Sequence, residues 1–361
     1  MKILLITEFF STSKVEFTGG VEARTHFIHK YLSKKNDLKV ISRSFTYITA
    51  SPLSIFPRLW FQITAFFKAL SIQADIIEGS NFICYLPAFF AAKLKGIPAV
   101  AWYPDVYLDS WVKNVGILPG IFGSLLEKIS LSLPWDQIIA MSNSTKQKLI
   151  SAGVDPQRIT IVYGGVEAQK IKSLKVKKRK TLTICTAVRL VSYKRINDLI
   201  IAVAKINKQN FKLNLIIIGE GSEKQNLIKL AQKLDIGKKV NITGNLPHAK
   251  TMKIIKSCHL FSLPSIVEGF GLVTIEAMAA GVPFVSSNIS PTKEITQNGK
   301  GGLLFTPKNP IDLAKKTTLL LKNKKLYLKK RKEGLILATR YKWQKIAKET
   351  EAVYQKALHR A

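Results

Sequence analysis

Short apolar segments alternate with longer amphipathic segments along almost the whole chain of 361 residues. The pattern is most regular in the second half, where the apolar segments 182–187, 213–218 and 240–243 each precede a stretch with helical spacing of its apolar residues. Such alternation predicts parallel strands joined by helices, because a parallel crossover needs a dozen or more residues. The length also exceeds what one hydrophobic core usually supports. We therefore expect an α/β protein built from two doubly wound, Rossmann-like units.

The passage 167–180 is polar and lysine-rich and shows no strong pattern, so we place the linker between the two units there. The predicted domains are then 1–167 and 180–342. The last segment, 343–361, carries Trp343, Ile346 and Val353 at helical spacing and predicts a C-terminal helix.

The stretch 261–283 reads as a strand, a loop containing glycine, a helix beginning near Leu272 and a new strand. Glu268 lies on the loop and Glu276 about one turn inside the helix. In open α/β sheets ligands bind at the carboxyl ends of strands, where helix N-termini present free N–H groups. Two carboxylates are therefore expected to flank a row of backbone donors.

Other predicted strands of the second unit end in loops of similar character. Arg189 and Lys194 follow the first strand just before a helix, where cations and N–H groups can hold a diphosphate. Gly219 and Glu220 follow the second strand and Gly244 the third. Each signal alone is weak, since a glycine after a strand usually marks a turn. Their joint placement on one sheet edge is what indicates a site.

The first unit carries two weaker signals. Gly19 and Gly20 separate the first strand from its helix, which suits either close approach to a phosphate or a simple tight turn. The segment 103–111 combines Asp105 with aromatic residues and a second carboxylate. It fits either a sugar-binding rim or a capped turn with a core tryptophan.

Two apolar stretches of the first unit bear on membrane contact. The stretch 53–72 is interrupted by Pro57, Arg58 and Lys68, so it fails as a spanning helix and predicts a partly buried one. The stretch 115–133 contains three glycines and a proline and only two charged residues. It fits a core helix, which we favour, or a loop that dips into a membrane surface.

The net charge is +33, and 39 basic against 12 acidic residues after Gly165 place +27 of it in the later part of the chain. Such a field suits a solvated lysine-rich surface, an anionic membrane or nucleic acid, although no interleaved aromatic pattern supports nucleic acid. The three cysteines are scattered and show no disulfide or zinc spacing. With an N-terminal apolar run too short for a signal peptide, this predicts a cytoplasmic protein with free thiols.

Four motifs in this order carry a family resemblance: RLVSYKR from Arg189, GEG from Gly219, SIVEGFGLVTIEAMAAGVP from Ser265 and NGKGGLLF from Asn298. The set resembles the retaining GT-B glycosyltransferases of family GT4. Residues 19–22 and 162–167 fit the same family. The resemblance implies two Rossmann-like domains facing across a cleft, with the C-terminal helix 343–361 packing back on the first domain.

The resemblance also implies a nucleotide-diphosphate sugar as donor. Arg189 and Lys194 would neutralise the diphosphate as the glycosidic bond breaks. Glu268 would accept hydroxyls of the donor sugar and Glu276 those of the ribose. Retention in this family is described as a same-face attack aided by the departing phosphate, so Glu268 is not assigned as a covalent nucleophile.

Backbone groups would complete the donor site in such a protein. The N–H groups of Phe270, Gly271 and Leu272 would bind sugar and phosphate, with the loops at Gly219, Glu220 and Gly244 close to the nucleotide. Gly19 and Gly20 would close on the phosphates when the cleft shuts. No metal ligand cluster is visible, and no metal or other cofactor is expected.

One position departs from the family pattern, because Pro104 aligns where many relatives have a histidine near the transfer centre. Asp105 is the candidate substitute; the alternative is a catalytically silent sugar-nucleotide binder. The expected acceptor is a hydroxyl group, with lipid-linked glycans among the candidates. The basic charge would suit peripheral contact with the inner face of the plasma membrane.

Overall fold

The computed structural model describes residues 1–10, 20–43, 55–112, 116–209 and 211–360, except for the side chain of Asp109. Its internal contacts divide the chain into two compact units. The first comprises Met1–Gly164 and Trp343–Ala361, and the second comprises Gly165–Lys342. Each unit is built on a six-stranded, wholly parallel sheet, as the alternating pattern predicts.

The sheet of the first unit has the strand order β2-β1-β3-β4-β5-β6. Its strands are β1 (Lys2–Thr7), β2 (Asp37–Ser42), β3 (Ile76–Ser80), β4 (Ala99–Tyr103), β5 (Gln137–Ala140) and β6 (Ile159–Ile161). Leu4 of β1 lies opposite Lys39 on one side and Ile77 on the other. Four consecutive residues of β1, Ile3 to Ile6, are buried. A run without polar alternation is expected of a parallel strand covered by helices on both faces.

The helices of the first unit form two layers. They are α1 (Gly20–Leu32), α2 (Ile55–Ser71), α3 (Phe82–Leu94), α4 (Ile117–Ser132), α5 (Asn143–Ser151) and the C-terminal helix (Trp343–Leu358). The strand order reverses after β2, and right-handed crossovers then place α1 on one face and α2, α3 and α4 on the other. α1 packs against the C-terminal helix, while α2 packs on α3 and α3 on α4.

Sequence predictions for these helices hold with shifts at their ends. The partly buried helix predicted near Pro57 is α2, and the favoured core helix within 115–133 is α4, which buries one side only. α3 begins directly after Asn81 and contains Pro87 in its interior.

A buried ion pair ties the C-terminal helix to this sheet. Glu78 is the third residue of β3, and Arg24 of α1 donates to both of its carboxylate oxygens at 2.6 and 2.9 Å. The Tyr354 hydroxyl of the C-terminal helix donates to the same carboxylate at 2.8 Å, as does Ser80. The Arg24 guanidinium also lies 4.4 Å from the ring centre of Trp102. Every polar group of the pair therefore has a partner, which a buried charge requires.

The sheet of the second unit has the order β12-β11-β10-β7-β8-β9. Its strands are β7 (Thr183–Ala187), β8 (Asn214–Ile218), β9 (Val240–Ile242), β10 (Leu260–Leu263), β11 (Phe284–Ser287) and β12 (Gly302–Phe305). The chain builds outward from β7 to β9, then returns to place β10 on the other side of β7. The switch point of this doubly wound sheet therefore lies between β7 and β10.

The helices of this unit surround the sheet. They are α6 (Ala168–Ser173), α7 (Ile196–Lys208), α8 (Lys224–Lys233), α9 (His248–Ser257), α10 (Leu272–Ala279), α11 (Ser290–Thr296), α12 (Pro310–Lys322) and α13 (Lys324–Ala338), and the C-terminal helix is α14. Within the described residues, no helix is long and apolar enough to cross a bilayer.

The passage 167–180 differs from the patternless linker expected there. It contains α6, which belongs to the second unit and packs on α10. Ala168 and Ile171 are buried while the lysines of α6 point outward, a one-turn pattern that the surrounding lysines concealed. The Val166 N–H donates to the Tyr341 carbonyl at 2.7 Å, so both ends of the unit are joined next to α6.

Candidate functional site

The loops that follow β7 and β10 meet at the switch point of the second sheet. Residues 188–195 leave β7 and residues 264–271 leave β10. The Ile266 N–H donates to the Tyr193 carbonyl at 2.9 Å, which holds the two loops together. Because parallel strands end at the same edge, the side chains of these loops share one crevice.

Lys194 and Glu268 form the central contact of this crevice. The ammonium group lies 2.6 Å from the carboxylate, and the two side chains are only 13% and 10% exposed. Their neighbour Arg195 adopts a left-handed conformation with φ 52° and holds Asp198 by two hydrogen bonds of 2.7 and 2.9 Å. This clamp fixes the turn that presents Lys194. The charges are therefore preorganised, which is what a site for a developing anion requires.

Arg189 stands beside this pair with its side chain in solvent. Its guanidinium donates to the Tyr193 hydroxyl at 3.1 Å. The remaining donors of the planar fork can bind phosphate oxygens in pairs. The Lys194 ammonium group lies 5.4 Å from the centre of the Tyr193 ring, so both cations contact this one side chain.

A helix N-terminus opens onto the same loop. Gly271, with φ 87°, occupies the left-handed N-cap position of α10, and the first turn of a helix has N–H groups without intrahelical partners. Phe270 is buried and packs edge-to-face on Tyr341 at 5.8 Å. This anchor fixes the loop, so that the amides from Phe270 to Leu272 lie at a defined place.

Glu276 of α10 has a partner that the sequence did not indicate. The His248 Nε2 at the start of α9 lies 2.6 Å from its carboxylate. Burial lowers the pKa of His248, but the neighbouring Glu276 and Glu167 outweigh this, and the pKa lies above its ordinary value. Glu276 is therefore held in place by His248, and the contact favours the protonated form of the imidazole. The available signal was a histidine directly after the loop at Gly244.

The glycines after β8 and β9 have a packing reason. A Cβ on Gly219, whose φ is 140°, would lie 1.9 Å from the Val188 carbonyl oxygen. The Gly219 N–H donates to the Gly244 carbonyl at 2.9 Å, and the Glu220 carbonyl accepts from Leu190 N–H at 2.8 Å. Gly219, Glu220 and Gly244 thus brace the β7 loop that carries Arg189. The Glu220 side chain itself pairs with Lys224 at 2.7 Å.

The predicted residues of the first unit lie in a separate setting. Gly20 begins α1, and Gly19 is outside the described residues. Asp105, after β4, is 5% exposed; its carboxylate pairs with Lys148 at 2.6 Å and accepts from the Val106 N–H at 2.9 Å. These contacts fix the loop that follows Pro104.

The aromatic residues near Asp105 differ in their exposure. Tyr103 is buried and stacks on Tyr85 at 4.4 Å. The Trp111 indole donates to Glu127 at 2.8 Å. Burial raises the pKa of Glu127, although the hydrogen bonds from Trp111 and from the Tyr107 backbone oppose this. These contacts fit the capped turn, while Tyr107 and Trp111 stay partly exposed, so the sugar-binding rim remains a prediction.

The described part of the chain contains no cluster of potential metal ligands. No group of three or more His, Cys, Asp or Glu side chains there could hold a metal ion. The three cysteines are buried and free.

Two sequence models of known protein families match this chain. Residues 167–336 match the sequence model of glycosyl transferases group 1, and residues 18–170 match that of glycosyltransferase family 4. The two matches together span both units and include every predicted donor-site residue. The chain belongs to the GT4 family of glycosyltransferases.

Individual relatives of this GT4 chain are distant. A Haemophilus influenzae protein described as an uncharacterised glycosyltransferase is 33% identical over 181 residues, which are 50% of each chain. The glycogen synthase of Mycobacterium tuberculosis is 25% identical over 79% of this chain and 69% of its own length. The chain thus aligns with about half to two thirds of these curated relatives.

Solved structures confirm the GT-B fold class. Sucrose-phosphate synthase from Thermosynechococcus elongatus superposes with a TM-score of 0.84 at 17% identity, covering 99% of both chains. The Anabaena protein HepE, solved in complex with UDP-glucose, superposes with a TM-score of 0.77 at 18% identity, covering 98% of this chain and 100% of its own. At such identities the likeness establishes the fold alone.

Proposed function

We propose that this GT4 protein moves a hexose-type sugar from a nucleotide-diphosphate donor to a hydroxyl acceptor, with retention of the anomeric configuration. The observation that carries the proposal is the Lys194–Glu268 pair at the switch point of the second sheet, 2.6 Å apart and nearly enclosed. This arrangement suits a breaking glycosidic bond. The cation would face the departing phosphate, and the carboxylate would face the sugar.

The donor would bind along the crevice with its diphosphate at Arg189 and Lys194. Negative charge grows on that phosphate as the glycosidic bond breaks, so fixed cations stabilise the transition state more than the ground state. The amides from Phe270 to Leu272 would add donors from a helix N-terminus. The Anabaena structure with UDP-glucose supports this donor class.

The two carboxylates would bind hydroxyl groups of the same donor. Glu268 would accept from the sugar and Glu276 from the ribose. We keep Glu268 out of the nucleophile role, because its oxygen is already paired with Lys194. The departing phosphate oxygen would instead take the acceptor proton on the same face of the sugar.

The first unit would supply the acceptor side. We propose that Asp105 acts at the transfer centre or orders the loop after Pro104, and that Gly19 and Gly20 approach the donor phosphates. The acceptor would be a hydroxyl of a growing surface polysaccharide, glycolipid or other glycan, including lipid-linked forms. We place the reaction in the cytoplasm, which the three free, buried thiols support, and we propose that it needs no metal cofactor.

A donor panel tests this function. The full chain is incubated with UDP, GDP and ADP sugars and released nucleotide is measured, for the wild type and for Lys194→Ala, Glu268→Ala and Asp105→Asn. We expect turnover with at least one donor and a loss of about 100-fold in kcat for Lys194→Ala, as when an oxyanion-stabilising donor is removed. Glu349→Ala, on the C-terminal helix, serves as the matched control and should keep full activity.

Three results would contradict the proposal in different ways. Nucleotide binding without turnover on any donor would indicate a catalytically silent sugar-nucleotide binder, the alternative that Pro104 suggests. Absence of nucleotide binding would show that the crevice is not a donor site. Tight and steeply salt-dependent binding of RNA or DNA, with no nucleotide-sugar binding, would favour the charge-based alternative.

A further inference from the structure

Large apolar side chains that face solvent are concentrated on one helix layer of the first unit. Among the described residues 17 such side chains are exposed, and 13 of them lie between residues 56 and 129. Twelve belong to α2, α3 and α4, and we call these twelve the apolar layer: Phe56, Leu59, Trp60, Ile63, Phe67, Phe90, Leu94, Ile117, Leu118, Ile121, Leu125 and Ile129.

The apolar layer lies on three adjacent helices. Its three helices are neighbours on one face of the sheet, since α2 packs on α3 and α3 on α4. The members recur at intervals of three or four residues along α2 and α4, so each helix presents one stripe outward. The apolar area that a dozen such side chains expose is larger than the patch of a few hundred Å² that a soluble monomer usually exposes.

Three hydroxyl side chains of these helices already donate to the backbone of their own helix. Thr64 donates to the Phe61 carbonyl at 3.1 Å, Ser71 to Lys68 at 2.9 Å and Ser132 to Ile129 at 2.8 Å. A specific protein interface carries about one hydrogen bond per 100–200 Å². These helices offer few free directional groups for that purpose. The acyl region of a bilayer requires none.

The charges of these helices are of one sign on the outside. Their single acidic residue, Glu127, is 2% exposed and accepts from Trp111 and from the Tyr107 backbone. Lys68 and Lys128 are exposed at the margins of the stripes. Long lysine stems can lie along apolar surface while their ammonium groups reach anionic headgroups.

We propose that the apolar layer is a docking surface for an anionic phospholipid bilayer. The helices would lie in the interface plane, with Trp60, Phe56 and Leu118 entering the acyl boundary and Lys68 and Lys128 among the headgroups. The attachment thus lies on the first unit, although most of the positive charge lies after Gly165. This membrane binding does not require glycosyl transfer, so it can be measured without a donor.

Vesicle flotation of the full chain tests the apolar contribution. Wild type is mixed with vesicles of phosphatidylglycerol and phosphatidylcholine in equal parts, or of phosphatidylcholine alone. The test variant combines Phe56→Ser, Trp60→Ser, Phe67→Ser and Leu118→Ser. The matched control combines Ile311→Ser, Leu319→Ser, Leu328→Ser and Ile336→Ser, the four large exposed apolar side chains among the described residues of the second unit. Thermal unfolding verifies that both variants fold.

We expect wild type and control to float with the anionic vesicles and the test variant to bind at least tenfold more weakly. Equal binding by the test variant would overturn the proposal, as would no binding by wild type. A wild-type dimer that the test variant breaks, without vesicle binding, would also overturn it and identify a second copy as the occupant.

Paired lysine variants test the charge contribution. Lys68→Gln with Lys128→Gln should weaken binding to anionic vesicles by about fivefold per lysine. Lys205→Gln with Lys315→Gln, exposed in the second unit, should leave it unchanged. A loss that is equal in both pairs would overturn the placement, because it would show that only total charge matters.

Trp60 supplies a direct depth reading. It is 68% exposed, whereas Trp102, Trp135 and Trp343 are buried. Vesicles with brominated acyl chains should quench wild-type fluorescence, and Trp60→Phe should lose most of the quenching while still floating. Flotation without quenching of Trp60 would overturn insertion of α2.

Discussion

At the scale of single residues, the candidate donor site is preorganised by contacts among its own side chains. Lys194 and Glu268 are 74 positions apart, and each would be a poorly solvated charge without the other. The motifs predicted that both lie on one sheet edge. They could not predict the contact between the two side chains. That contact depends on the backbone hydrogen bond from Ile266 N–H to the Tyr193 carbonyl and on the turn that Arg195 stabilises.

The partner of Glu276 shows the same limit of sequence reasoning. His248 lies 28 positions away at the start of a different helix, and only the packing of α9 near α10 brings the two together. A lone histidine after a loop gives little signal by itself. Its effect on Glu276 is electrostatic and therefore testable through pH.

Replacement of His248 by glutamine should cost stability in a pH-dependent way. Because the pKa of His248 is raised in the folded state, the ion pair stabilises the fold below the ordinary value of 6.5 and loses this contribution as pH rises through the folded pKa. We expect His248→Gln to lower the free energy of unfolding by about 1 kcal/mol at pH 6 and by less at pH 8.5. Urea unfolding at both pH values measures this, with the exposed His359→Gln as control. An equal loss at both values would contradict a charged partner.

At the scale of elements, the strands and most helices follow from apolar pattern, and the failures have specific causes. α6, which lies where a patternless linker was expected, was concealed by its lysines. The pattern identified α2 and α4 as amphipathic or apolar segments. It could not say which apolar residues remain outside, because that depends on how the three helices divide the sheet face among them.

The return of the C-terminal helix to the first sheet depends on a buried charge that the sequence analysis did not single out. Glu78 lies within an apolar strand, and its partners Arg24 and Tyr354 are 54 and 276 positions away. A glutamate in the middle of a buried strand was the available signal, since such a charge needs a partner.

Removal of these partners should destabilise the first unit to different degrees. Arg24→Met leaves Glu78 as an uncompensated buried carboxylate, so we expect a loss of about 3–5 kcal/mol in the free energy of unfolding. Tyr354→Phe removes one hydrogen bond and should cost about 1–2 kcal/mol. Chemical denaturation measures both, and Arg360→Met at the exposed end of the chain is the control. If Arg24→Met cost no more than the control, the ion pair would not tie these elements together.

At the scale of the whole molecule, two similar parallel sheets carry different kinds of chemistry. The second unit presents cations, carboxylates and a helix N-terminus at its switch point. The first unit presents a buried loop at Asp105 and an exposed apolar layer. Sequence reasoning could propose specific residues for the donor side, because phosphate and ribose contacts use charged residues in short motifs. The acceptor side was less predictable, because loop shape and exposed surface leave little pattern in the sequence.

The central claim is that the switch point of the second sheet binds a nucleotide diphosphate, and calorimetric titration of UDP, GDP and ADP tests it most directly. We expect wild type and Glu349→Ala to bind at least one of them with the same affinity. The double variant Arg189→Ala with Lys194→Ala, and Glu276→Ala separately, should bind it about 10- to 100-fold more weakly, through lost phosphate and ribose contacts. Unchanged affinity in both site variants, or no nucleotide binding by wild type, would contradict the account.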